Sequence, residues 1–239
     1  VWQAQTWTWD QLDELVESLA RALGAQGVTP GQRVPFKSAN EPELVMAFHA
    51  LGRVGAVFMP LNVRHTEAET RACLDQVPQA PAAPGVRAAL FTSGTTGVPQ
   101  LVELTEGNLI ASARASAANL GTSPAHRWLG TLPLFHVGGL AMAYRCSVDG
   151  AALWLEPGFE ARRVNTLVDV GVTHLSLVPT TLERLLEARG QRPFFGVQAA
   201  LIGGGPMTTA LLQRARAAQL PVLQTYGLTQ ACSQVTTER

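Results

Sequence analysis

Short apolar runs alternate with longer amphipathic stretches along almost the whole chain, and this alternation constrains the fold more than any other feature. From Asp10, the apolar residues Leu12, Leu15, Val16, Leu19 and Leu23 recur at helical spacing, and Gly24 with Gly27 supplies the stop. Asn40 precedes Glu41-Pro42-Glu43 and the apolar run 44–51. That order predicts a second helix with Asn40 as N-cap, a proline in the first turn and a capping carboxylate. A strand at 56–59 stops at Pro60, and Thr66 with Glu69 repeats the capping-box spacing. Further strands are expected at 86–92, 128–132, 151–155, 174–178, 199–202 and 221–225, with helices at 105–120, 161–170, 180–188 and 207–218. Such a succession predicts an α/β fold, mostly parallel sheet flanked by helices on both faces. The aperiodic, proline-rich tract 76–86 reads as a linker or surface loop and as the best internal lobe boundary.

At 239 residues and 46% hydrophobic content, the chain can bury a sizeable core as one large domain or two joined lobes. Lys plus Arg equals Asp plus Glu at 18 each. No excess of positive charge points to nucleic acid or an anionic membrane, so a phosphate ligand has to be held locally. Cys73, Cys146 and Cys232 are far apart and lack the spacing of a zinc site or a disulfide framework, so they read as buried or incidental thiols in a reducing compartment. No run of about 18 apolar residues and no basic leader followed by an apolar run is present, and the expectation is a cytoplasmic protein without membrane insertion.

The sharpest segment is Phe91-Thr92-Ser93-Gly94-Thr95-Thr96-Gly97-Val98-Pro99, a strand running into hydroxyls and glycines. Gly94 and Gly97 let the backbone approach a ligand, and Thr92, Ser93, Thr95 and Thr96 offer neutral donors to phosphate oxygens. The Lys-Ser/Thr pair of a P-loop is missing, which disfavours a P-loop phosphotransferase. Hydroxyl and glycine loops also serve as plain turns, and order along the chain is what decides. Downstream come Leu132-Pro133-Leu134-Phe135-His136-Val137-Gly138-Gly139, then Leu201-Ile202-Gly203-Gly204-Gly205-Pro206, then Thr225-Tyr226-Gly227-Leu228-Thr229.

These four motifs, in this order, resemble the adenylate-forming superfamily of acyl-CoA synthetases, luciferases and adenylation domains, from about Trp9 to the last residue. Within it the chain is most similar to the o-succinylbenzoate-CoA ligases, on residues 133–140, His174-Leu175-Ser176-Leu177-Val178-Pro179-Thr180 and Tyr226 through Gln234. The resemblance implies the large N-terminal domain of that fold, incomplete, with the small C-terminal domain absent from these residues. It implies ATP-dependent activation of a carboxylic acid, o-succinylbenzoate of menaquinone biosynthesis first among candidates, to an acyl-adenylate. A CoA thioester then follows. ATP, AMP, magnesium and coenzyme A are the implied ligands, and family habit suggests a homodimer.

Carried over residue by residue, Ser93, Thr95, Thr96 and Thr229 face the phosphates, and Gly203, Gly204, Gly205 and Pro206 let adenine lie against the backbone. Tyr226, beside Gly227, is placed to stack on the base. His136 and Gly139 line the acyl site, and His136, Thr229 and Gln230 are the candidate catalytic residues. Arg145 suits the second carboxylate of o-succinylbenzoate, with an ordinary solvated helix arginine as the equal alternative. His49, His65 and His126 form no constellation, and His174 reads as structural.

Two departures matter. Gln100 and Leu101 follow Pro99 where the family has a Lys that reaches the phosphates. Gln230 stands where the family has a Glu that holds magnesium, and an amide carbonyl is a weaker ligand for a hard cation. The ribose-binding Asp, the hinge and the C-terminal Lys of the family have no counterpart before Arg239, and the tract between Cys73 and Val86 is shorter than in most relatives. The alternatives left open are a catalytically impaired nucleotide- or acyl-adenylate-binding relative and a ligase for another aryl or fatty acid.

Overall fold

The computed structural model of the chain describes residues 1–3, 5–92 and 99–238. Ser93, Gly94, Thr95, Thr96 and Gly97 lie outside the described residues. Helix α1 (Trp9–Ala25) opens with a capping box between Thr8 and Gln11. It is followed by β1 (Arg33–Phe36), α2 (Pro42–Val54), β2 (Val57–Pro60), α3 (Glu67–Leu74), β3 (Val86–Phe91) and β4 (Leu101–Thr105). Their strands form a sheet in the order β1-β2-β3-β4, parallel except for the antiparallel pair β3–β4.

Helix α4 (Glu106–Leu120) leads into a second sheet, and it is here that the chain passes from one sheet to the other. That sheet is built by β5 (Arg127–Gly130), α5 (Val137–Asp149), β6 (Ala152–Leu155), α6 (Ala161–Asp169), β7 (His174–Leu177), α7 (Pro179–Arg189), β8 (Ala199–Ile202), α8 (Thr209–Ala217), β9 (Val222–Leu228) and β10 (Ser233–Thr237). The order is β10-β9-β8-β7-β5-β6, with only β9–β10 antiparallel. The chain leaves β5 for β6 on one side and returns to β7 on the other. The carboxyl ends of β5 and β7 therefore flank a topological switch point, where open α/β sheets leave a crevice.

Burial explains the short strands. Every residue of β2, β7 and β8 is buried, as expected of parallel strands covered on both faces. One core packs β2, β3, α2, α4 and α5 together, and a second packs β7 and β8 against α6, α7 and α8. The three cysteines are all free and buried.

Two expectations need correction. Glu41, not Asn40, is the N-cap of α2, and it makes no side-chain capping bond. The amide of Asn40 is instead consumed by a contact far along the chain. The tract 76–86 is a largely exposed loop, as expected, but it joins α3 to β3 beside a single sheet, and it is pinned there. Arg33 Nη1 donates to the carbonyls of Pro78 at 3.2 Å and Ala80 at 2.8 Å, and Ala82 N–H donates to Gly31 O.

Candidate active site

Three cavities meet at one side chain. A cleft of about 1030 Å³ is lined by Thr92, Gln100, Gly204-Gly205-Pro206 and residues 224–230. A pocket of about 730 Å³ runs along Thr131 to Gly139, Arg145, Ser176 and Gly203. A small cavity of about 170 Å³ lies between His65, Cys73 and Phe91. His136 lines all three, and the cleft and the larger pocket also share Val137, Gly204, Thr225 and Gly227. The cleft and the larger pocket lie at the carboxyl ends of β5, β7, β8 and β9, at the switch point.

His136 is placed by the turn after β5. It caps α5 with extended backbone and no side-chain capping bond, so its ring is free for the cavities. Its N–H donates to Pro133 O at 3.0 Å. Gly139, one turn on, packs against the same loop: a Cβ there would lie 2.7 Å from the Leu132 carbonyl oxygen and would overlap that of Pro133. Burial, followed by the nearby Arg64 and His65, lowers the pKa of His136, so the neutral imidazole is the resting form.

The strand-end glycines do what a close ligand needs. Gly204 has φ +76°, in the left-handed region, and a Cβ on Gly203 would press on Thr225 O at 3.2 Å. Gly227 lies so near Ser233 on β10 that no side chain fits. Tyr226 lines the cleft and is 63% exposed. Thr92 and Gln100 close the rim together. Thr92 N–H donates to Gln100 O, and Gln100 N–H donates to Thr92 Oγ1 at 3.1 Å.

Thr229 and Gln230 follow β9 in a turn of 3-10 helix, and both line the cleft. The one carboxylate among its described residues is Glu238, which already accepts from Gln224 Nε2 at 2.6 Å. No cluster of three His, Cys, Asp or Glu able to hold a metal occurs among the described residues. Among the described residues the cleft's side-chain donors are amides, hydroxyls, the His136 imidazole and one engaged carboxylate, a set poor in the charged oxygens that magnesium prefers.

Arg145 departs from its solvated alternative. It sits in α5 with 2% exposure, its guanidinium over the Trp128 ring at 5.2 Å. Its Nε and Nη1 are buried without a hydrogen-bond partner, and no ion pair reaches it among the described residues. Burial pulls its pKa down to about 10, so the group remains a cation at neutral pH. It lines the 730 Å³ pocket, and Asp149 acts on it from a distance, raising its pKa without forming an ion pair.

The family described as AMP-binding enzyme matches residues 1–80 and 75–239. The chain belongs to that family. The two matched stretches overlap at 75–80, at the start of the proline-rich tract. Among curated relatives, the 2-succinylbenzoate--CoA ligase of Bacillus pumilus is 32% identical over 99% of this chain and 57% of its own length. That of Listeria innocua is 30% identical over 99% of this chain and 58% of its own. The chain therefore spans somewhat more than half the length of these relatives. Among solved structures, o-succinylbenzoate CoA synthetase from Bacillus subtilis in complex with the acyl-adenylate intermediate OSB-AMP superposes with a TM-score of 0.91. Identity there is 29%, covering 99% of this chain and 57% of that one. The same enzyme in complex with ATP and magnesium ion gives 0.92 at 30% identity, over 99% of this chain and 58% of that one.

In this AMP-binding enzyme chain, the sequence singles out His136, Gly139, Arg145, Gly203 to Pro206 and residues 226–230, and all of them line the cleft or the larger pocket. Sequence reasoning missed Asn40, Ser176, Thr181 and Arg184 as lining residues. Ser176 and Thr181 sit within or just after the His174-Leu175-Ser176-Leu177-Val178-Pro179 run, and a strand end beside a resembled motif is the signal that could have found them. The misassignment of Asn40 as a helix cap hid its other use.

Proposed function

We propose that this chain supplies the nucleotide and acyl sites of an acid-CoA ligase whose acid carries a second carboxylate, with o-succinylbenzoate as the best fit. The single observation behind this reading is Arg145, a buried and unpartnered cation in a pocket that meets the phosphate-side cleft at His136. A fatty acid would leave that charge desolvated and unpaired, at a cost of about 1–3 kcal/mol or more. The resemblance to 2-succinylbenzoate--CoA ligases supports the same acid.

In this reading, one oxygen of the reacting carboxylate attacks the α-phosphorus of ATP and pyrophosphate leaves, giving the acyl-adenylate. The coenzyme A thiol then attacks the acyl carbon, the C–O bond to phosphate breaks, and AMP departs. Arg145 anchors the remote carboxylate, which fixes the reacting one near His136. Neutral His136 donates or accepts a hydrogen bond at the acyl oxygen, and Thr92 and Thr229 face the phosphates across the cleft. Gly203 to Gly205 leave room for adenine, with Tyr226 to cover it. Magnesium, when bound with the nucleotide, would neutralise charge on the phosphates, with Gln230 and Glu238 as the cleft side chains able to offer it oxygen. A cytoplasmic setting and a homodimer complete the reading.

Gln100 and Gln230 favour a second reading, a binder of nucleotide or acyl-adenylate with weak turnover. The test is calorimetric titration of this chain with AMP, ATP and a non-hydrolysable o-succinylbenzoyl-adenylate analogue, with and without magnesium. Tighter binding of the analogue than of AMP is expected. Equal affinity for the analogue and for AMP would sink the acyl assignment.

A further inference from the structure

The loop that presents His136 is held by a residue from the other lobe. Asn40 lies between β1 and α2, beside the first sheet, and is 3% exposed. Its Nδ2 donates to Leu132 O at 2.9 Å and its Oδ1 accepts from Leu134 N–H at 2.8 Å, across 92 and 94 residues of chain. One side-chain amide thus satisfies the backbone groups on both sides of Pro133, a residue with no N–H of its own. Pro133 O in turn accepts the His136 N–H, and Gly139 packs on the Leu132 and Pro133 carbonyls from the helix side. Asn40 also lines the acyl pocket.

We infer that Asn40 is a positioning residue for His136: its bidentate grip on the backbone around Pro133 sets where the imidazole stands among the three cavities. The chemistry admits little substitution. Aspartate keeps the shape but loses the donor to Leu132 O and sets two acceptors face to face. Alanine leaves a part-buried carbonyl and a buried N–H unpaired, and those groups then draw water or shift the loop. Because Asn40 belongs to the first sheet's lobe, the grip also ties the acyl site to that lobe. The placement of His136 rests on geometry alone; its role at the acyl oxygen rests on the proposed ligase activity.

The test compares the wild-type chain with Asn40→Ala, Asn40→Asp and Asn40→Ser. The imidazole titration of His136 is followed by NMR, assigned against His136→Gln, beside calorimetric affinities for AMP and for the o-succinylbenzoyl-adenylate analogue. The expected result is a His136 titration that rises back toward that of an ordinary imidazole. Analogue affinity should fall about tenfold or more while AMP affinity stays within about twofold. A lower melting temperature with an unmoved His136 titration would overturn the proposal, as would failure of all three variants to fold. If the wild-type chain binds neither ligand, the ligase reading fails, and the His136 titration alone still decides the role of Asn40.

Discussion

The guanidinium of Arg145 rests on the indole of Trp128, 5.2 Å from the ring centroid, and no carboxylate of the described residues forms an ion pair with it. A ring face returns only part of what burying a cation costs, so the native state carries this charge at a loss. Arg145→Met, close in volume, is expected to raise stability by about 1 kcal/mol or more. The same change should weaken the o-succinylbenzoyl-adenylate analogue about tenfold or more and leave AMP binding alone. Denaturant unfolding and calorimetry check the two arms. A variant that is less stable and still discriminates the analogue would show that Arg145 serves packing instead.

Acid sensitivity follows from two histidines outside the cleft. Burial, then the nearby Arg87 and Arg53, holds His49 down at about 4, and burial, then His126 and Arg145, holds His174 at about 4. The Nε2 atoms of both are buried without partners. The unfolded chain protonates these rings near pH 6.5 and the native one only near 4. The unfolded state therefore binds more protons across that window. Stability from the pair is fully present above pH 6.5 and is lost as pH falls toward 4, at a limit on the order of 3 kcal/mol for each and less for the partly solvated His49. Denaturant unfolding at pH 7, 5.5 and 4.5, repeated on His174→Gln, measures it. An unchanged slope in the variant would remove His174 from the account.

Gly139 makes a steric prediction. A methyl group there would overlap the Pro133 carbonyl and lie 2.7 Å from that of Leu132, and neither is a flexible side-chain end that can turn aside. Gly139→Ala should cost about 2 kcal/mol or more, despite the better helix propensity of alanine. Gly138→Ala, one residue earlier, meets only a Leu132 side-chain methyl at 3.5 Å and serves as the control. Equal melting temperatures for the two variants would show that the loop yields.

What the sequence made legible was the part of the fold that rests on local pattern. Capping boxes at Thr66 and Thr105 and the apolar β8 announce themselves because their signals are local. Helix α5 opens with two glycines and is buried nearly all round, so it has no polar face to give it a period. Strands β1 and β4 mix charged and apolar residues because Arg33 and Glu103 pair with each other at 2.6 Å across the first sheet. The motif loops that line the two cavities were readable for the same local reason. Asn40 was not, because its partners lie more than 90 residues away and its neighbours imitate a helix cap.

Gln230 offers the sharpest probe of the phosphate side. It is solvent-exposed on the 3-10 turn after β9, so replacing its amide by a carboxylate carries little folding cost. A carboxylate there adds the charged oxygen that a hard cation prefers, and it repels bare phosphates. Gln230→Glu should therefore split the response to ATP. Without magnesium, affinity falls below wild type; with magnesium, it rises above wild type by about tenfold, or roughly 1.4 kcal/mol. AMP, with fewer phosphates to bring a metal, should show a smaller split. Titrations of both proteins with both nucleotides, each with magnesium and with a chelator, give the comparison. The same ATP affinity in all four ATP titrations would place position 230 away from the triphosphate and leave Thr92 as the nearer residue to test.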